Sequence, residues 1–286
     1  MTTLRQRMIK DLTVRGLSEN THRSYLQAVT SLAKFYNRSP ELISTSEIQD
    51  YLIYLHEKRG LSWKSCNAAR HGLRFFYRIT LQQPDAHYYI PGAKEPTRLP
   101  QILNDDELVR LFTVSTNPKH RALLMTAYAA GLRASELCHL KVSDIDSKRM
   151  SLRVDQGKGN KDRYVPLSAK LLAQLRDYWQ RARPCDQWLF EGHPKDRPMS
   201  RSGPTYIFNK ALEKAGIQRQ TGGIHTLRHN YATGLLEAGV ELCVIQRLMG
   251  HSSIRSTMRY LHIAQPKPGI TTSPLDLLEF PVSDRT

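Results

Sequence analysis

Apolar residues recur along the first ninety positions at the three- and four-residue spacing that gathers them on one side of an α-helix. Tyr25, Val29, Leu32 and Tyr36 form one such stripe, and Ser18 ahead of them has the side chain of an N-cap. Ser44 and Glu47 have the spacing of a capping box before a second stripe, Ile48, Tyr51, Leu52 and Leu55, which Gly60 ends. Ser62 opens a further helix on which Cys66, Ala69, Leu73 and Phe76 face inward. Residues 84–100, PDAHYYIPGAKEPTRLP, hold four prolines, one glycine and no period, the composition of an extended linker. The pattern predicts an all-helical domain over 1–90, a linker over 91–101 and a second domain over 102–286.

The second domain mixes two periods. Asn104 with Glu107 caps a short helix, and Asn117-Pro118 starts another that runs to about Ala130, where Gly131 breaks it ahead of ASEL. Met150, Leu152 and Val154 then alternate strictly, the polar turn QGKGNKD follows, and Arg163 to Leu167 return, which predicts a β-hairpin with Lys158 at its tip. Ser168 caps a helix carrying Leu171, Leu172, Leu175, Tyr178 and Trp179, and another helix spans about 204–215. His225 and Arg228 lie near the start of a helix that Gly239 ends. Leu242, Ile245 and Leu248 form the core side of the next, which Gly250 ends, leaving His251 at a turn. Ser252 or Ser253 is the expected cap of a last helix holding Tyr260, with Arg255 and Arg259 around it. The fold class expected is mainly α with a small β-hairpin.

Charge changes the picture. The chain of 286 residues carries a formal net charge of +16. Residues 1–95 hold 14 basic against 8 acidic side chains and the remainder 28 against 18, so both domains are basic. A polyanion touched by both accounts for that better than a targeting tail does. On the helix opened by Ser62, Arg70, Arg74 and Arg78 recur every four residues, with Lys64 before them. Like charges at that spacing repel by a few tenths of a kcal/mol per pair, roughly, and a DNA backbone would offset the cost; a solvated face is the competing reading. Four scattered cysteines form no CxxC pair, and neither a signal peptide nor an apolar run of membrane-spanning length is apparent, so the expected setting is the cytoplasm, with no membrane partner.

Two imidazoles, a guanidinium and a phenol within Gly223 to His262 suit attack by a tyrosine on a phosphodiester. Two other chemistries fit less well. GKG at the hairpin tip lacks the spacing and following helix of a nucleotide-phosphate loop, and His225 with His229 lacks the glutamate of the zinc-protease motif. No metal and no cofactor are therefore expected.

The motifs GLRASEL, GKGNKDR, HTLRH and LMGHSS, with Tyr260 nine residues after His251, resemble the tyrosine recombinase (phage integrase) family in order and spacing. The likeness spans nearly the whole chain. It implies a SAM-like core-binding domain followed by an α+β catalytic domain, and an active site of Arg133, Lys158, His225, Arg228 and His251 with Tyr260 as nucleophile. The interval from Lys158 to His225 shows no extra segment, which resembles the Xer-like and transposon-borne branches. The resemblance further implies double-stranded DNA as partner, a homotetramer on DNA from weakly associated or monomeric free protomers, and accessory proteins. In that reading Arg133 and Arg228 clamp the phosphate, His225 accepts the tyrosine proton, Lys158 protonates the leaving 5′-oxygen and His251 donates to the phosphate. Competing classes are a type IB topoisomerase, a DNA-binding regulator without catalysis, and an RNA-binding protein. The tail beyond Tyr260 carries Leu275, Leu277, Leu278 and Phe280, open to docking on a neighbouring subunit or to folding back.

Overall fold

A computed structural model gives the structure of the chain, and the residues described are 2–83, 92, 99–155, 162–184, 187–194, 196–218 and 222–264. The chain divides into two compact units, Met1–Thr97 and Arg98–Thr286.

The described part of the first unit is helical. Helices α1 (Thr3–Val14), α2 (Glu19–Tyr36), α3 (Thr45–Glu57) and α4 (Trp63–Phe75) begin at Thr2, Ser18, Ser44 and Ser62. Each cap oxygen accepts a backbone N–H three residues on, so an orphan donor of each first turn is satisfied. At Ser44 the Glu47 carboxylate closes the second half of the capping box. The inward stripes of these helices meet in one core around Met8, Leu12, Leu32, Ile48, Leu73 and Phe76. Two tyrosine hydroxyls bond main-chain carbonyls here: buried Tyr77 donates to Pro40 O at 2.6 Å and half-buried Tyr36 to Glu47 O at 2.7 Å. Helix α4 runs directly into a π turn, Phe76–Thr80.

The second unit opens with α5 (Asp105–Thr113), its Asn104–Glu107 capping box complete, and α6 (Pro118–Ala129). A short α7 (Ala134–Cys138) leads to an antiparallel sheet of β1 (Ile145–Asp146), β2 (Ser151–Val154) and β3 (Arg163–Pro166), in that spatial order. The hairpin register pairs Leu152 with Val165 and Val154 with Arg163. Strand β1 is an addition to the expected hairpin; two residues are too few to leave a period in the sequence. Helices α8 (Ala169–Ala182), α9 (Gly203–Lys214), α10 (His225–Glu237), α11 (Leu242–Met249) and α12 (Arg255–Met258) follow. The main core joins Leu123, Leu124 and Ala127 of α6, Leu152 and Val165 of the sheet, Leu171 of α8 and Phe208 of α9. Leu172 and Trp179, expected to be core, are only half-buried, because Leu171, Leu175 and Tyr178 take the inward face of α8.

A smaller cluster, Ala232, Ile245, Met249 and Tyr260, joins α10 and α11 to the turn that carries Tyr260. Here two expectations are corrected. Neither Ser252 nor Ser253 caps the last helix: α12 follows Ile254 with no side-chain cap, and the main-chain carbonyls of Ser253 and Ile254 accept its first N–H groups. Tyr260 lies past α12, in a 3₁₀ turn over Arg259–His262. Among the described residues no helix is long and apolar enough to cross a membrane.

Candidate active site

Three arginines from distant parts of the second unit converge on one carboxylate. Glu136 of α7 accepts Arg133 Nη1 at 2.6 Å and the Arg133 main-chain N–H at 2.8 Å. Arg163, at the foot of β3, binds both of its oxygens, at 3.0 and 2.8 Å. Arg228 Nη1 of α10 stands 3.8 Å away. The carboxylate is 4% exposed and the guanidinium side chains of Arg163 and Arg228 are 8% and 5% exposed, so this is interior charge, not a surface pair of small worth. Burial by itself pushes the Glu136 carboxyl up; the hydrogen bond and charge of Arg163, with Arg133 behind them, outweigh it and hold the group at about 2. Three guanidiniums on one carboxylate leave a formal +2 in a low-dielectric wall, which favours an anion at its open side.

Two glycines fix the arginines. Gly131, at φ +58°, turns the chain out of α6, and a Cβ there would lie 2.2 Å from the Tyr231 ring. Its carbonyl accepts Arg228 Nη1 at 2.5 Å. Gly250 ends α11 at φ +61°, where a Cβ would meet Arg163 at 2.9 Å, and its carbonyl accepts Arg133 Nη2 at 2.7 Å. Met249 O takes the other Arg228 nitrogen at 2.5 Å, and Leu248 O takes Arg163 Nε at 2.8 Å. The C-terminal end of α11, Leu248 to Gly250, thus holds all three cations by its carbonyls. Arg228 is lowered to about 10, by burial first and then by Arg133, so it stays charged at neutral pH.

The aromatic groups close on this cluster. Tyr260 is 2% exposed, and its hydroxyl is 3.0 Å from His229 Nδ1. Burial raises the phenol, whereas Arg228, Arg259 and Arg133 pull it down. The His251 ring lies nearly parallel to that of Tyr260, 9° between planes and 6.5 Å between centroids, and its Nδ1 is 2.9 Å from the Thr257 hydroxyl. Burial and the surrounding arginines lower His251 to about 4. His225, the first residue of α10, is exposed; desolvation of its ring, then Arg228 and Arg133, shifts it down.

The fold therefore brings Arg133, His225, Arg228, His251 and Tyr260 together, from the turn after α6, from α10, from the end of α11 and from the last 3₁₀ turn. Lys158 falls in 156–161, outside the described residues, as does the apolar tail from Leu275 to Phe280. Of the four basic residues on the Ser62 helix, Lys64 and Arg74 are exposed on α4, and Arg78 is exposed in the π turn, whose i→i+5 bonding breaks the four-residue stripe. Arg70 is half-buried, against Gly92 and beside Gln49, Trp63 and Asn67. Two residues the sequence reading passed over belong to the cluster. Arg163 shares the inward face of β3 with Val165, two residues on, and a charge in that register was the available signal. In the sequence His229 stands out only as half of an i, i+4 histidine pair; among the described residues there is no group of three His, Cys, Asp or Glu able to hold a metal ion.

Comparison with known proteins gives the family. Residues 101–266 match the phage integrase family and residues 4–86 match the phage integrase N-terminal SAM-like domain. The y4qK protein of Sinorhizobium fredii, named for integrase/recombinase activity, is 43% identical over 98% of this chain and 91% of its own. Tyrosine recombinase XerA of Pyrococcus horikoshii is 31% identical over 88% of this chain and 86% of its own. Among solved structures, a XerA recombinase covers 91% of this chain and 92% of its own at 28% identity and a TM-score of 0.54. The Tn1549 transposon integrase, in complex with transposon right end DNA, aligns over 96% of both chains at 18% identity and a TM-score of 0.75, a likeness of fold. The chain belongs to the phage integrase family. It is a site-specific recombinase of the tyrosine type, an enzyme of DNA strand exchange.

Proposed function

We propose that Tyr260 attacks a DNA phosphodiester, forming a 3′-phosphotyrosine and releasing a 5′-hydroxyl. The observation that carries this reading is the buried Tyr260 hydroxyl held beside Arg228, Arg259 and Arg133. In-line attack puts extra negative charge on the non-bridging oxygens, and Arg133 and Arg228 are the planar donors to receive it, each charge-assisted bond contributing roughly 1.5–3 kcal/mol. His251 and His225, both shifted toward the neutral form, border the same space and complete the phosphate's hydrogen bonds. Lys158 protonates the leaving 5′-oxygen. Because the phosphotyrosine keeps the energy of the broken bond, a second 5′-hydroxyl reverses the step, and the reaction needs neither nucleotide nor metal.

The substrate is double-stranded DNA, in the cytoplasm. Exchange between two duplexes breaks four strands, so four protomers act together on DNA, weakly associated when free, with accessory proteins choosing among sites. Lys64, Arg70, Arg74 and Arg78 serve the first unit's contact with the DNA backbone. On a nicked duplex that traps the covalent product, Tyr260→Phe should bind as the parent does and give no adduct in a denaturing gel. An adduct at the parent level would assign the nucleophile elsewhere.

A further inference from the structure

The imidazole bonded to the nucleophile is that of His229, one position after Arg228, and not that of His225. We propose that His229 is a catalytic residue: its Nδ1 takes the Tyr260 hydroxyl proton as the phenolic oxygen joins phosphorus. The inference rests on the reading of Tyr260 as nucleophile.

Geometry comes first. A general base must stand within hydrogen-bond reach of the proton that it removes, and Nδ1 lies 3.0 Å from the phenolic oxygen. The rings are tilted by 48° with centroids 5.7 Å apart, and Tyr260 is packed among Ala232, Ile245 and Met249. Both partners are thus held before DNA arrives. His225, a helical turn earlier, opens to solvent at the first position of α10 and is free to serve the phosphate.

Electrostatics supply the timing. Burial, then His225, Arg259 and Arg228, lowers His229 to about 4, so the ring is neutral at pH 7, and Nδ1 is able to accept a proton when the ring's own N–H is on Nε2. Arg133 and His251 face the same phenol. Burial is the larger cause of that shift; a phosphodiester entering beside these cations offsets the part due to charge and so favours the imidazolium formed in the step. In the step itself the phenolic O–H bond breaks and an N–H bond forms on Nδ1. The phenolic oxygen bonds to phosphorus, the P–O5′ bond breaks, and the leaving oxygen takes a proton from the acid assigned to Lys158. Strand joining runs the same transfers backwards.

The test is single-turnover cleavage of the nicked duplex by His229→Ala and His229→Gln, with DNA affinity and melting measured alongside. Cleavage should slow by about 10²–10⁴, the usual contribution of a positioned base, with affinity unchanged. Replacing Tyr260 by a fluorinated tyrosine, which ionises at lower pH, should recover on the order of tenfold of that loss or more. Cleavage at the parent rate in both variants, or a loss that fluorination leaves intact, would overturn the proposal. A measurement on the unaltered protein guards against misfolded variants: the ¹⁵N shifts of His229 should report a bare Nδ1 and a protonated Nε2, and a proton resident on Nδ1 refutes the role. Tyr260→Phe separates the two ideas. Adduct formed by that variant removes the nucleophile reading, whereas adduct lost there but kept in both His229 variants removes only this one.

Discussion

At the scale of single residues, Glu136 decides whether the arginines can be gathered at all. Three cations share its carboxylate, so removing its charge leaves buried guanidiniums without a counter-ion, a change that costs about 3–5 kcal/mol when one partner of an interior pair is lost. Glu136→Gln should be destabilised by that order at pH 7. The pH dependence has a definite sign. A carboxyl held at about 2 when folded, against the ordinary 4.5, contributes stability that is fully present above 4.5 and lost as pH falls toward 2. The gap between parent and variant should stay constant from neutral pH to about 5 and close below 4.5. His229 and His251, held at about 4 against 6.5, weaken both proteins alike as pH falls from 6.5 to 4, and so leave the gap untouched. Denaturant unfolding across pH checks this; a gap that widens on acidification contradicts it.

At the scale of elements, what the sequence revealed depended on how local the signal was. Caps are local: Ser18, Ser44, Ser62, Asn104 and Ser168 each bond the N–H that their spacing assigned. The clamp is not local. That Gly131 O holds Arg228 and Gly250 O holds Arg133 follows from contacts 97 and 117 residues apart, and no periodicity carries them. The sequence predicts Tyr260 on a helix capped by Ser252 or Ser253, but α12 is only four residues long and the chain tightens to a 3₁₀ turn where Tyr260 packs inward. Helix α4 carries the proposed DNA contact of the first unit. Its exposed side carries Lys64, Ala68, His71 and Arg74, while Arg70 turns toward Gln49 and Trp63. Lys64→Ala and Arg74→Ala should each reduce the slope of log binding constant against log salt by about one, uniformly across DNA sequences. Binding titrations at several salt concentrations measure it, and an unaltered slope assigns those two side chains to a solvated face.

At the scale of the whole molecule, a net charge of +16 divided between both units suits the proposed contact of each unit with a polyanion. The chemistry is concentrated at one place in the second unit, where a buried phenol, a neutral imidazole and excess guanidinium charge adjoin. In the proposed reaction this phenol becomes covalently joined to DNA. Its most direct test is mass spectrometry of the adduct: trapped complex, digested with nuclease and protease, should yield the peptide containing Tyr260 with a 3′-linked nucleotide on the tyrosine oxygen. A nucleotide found on any other side chain would assign the nucleophile elsewhere.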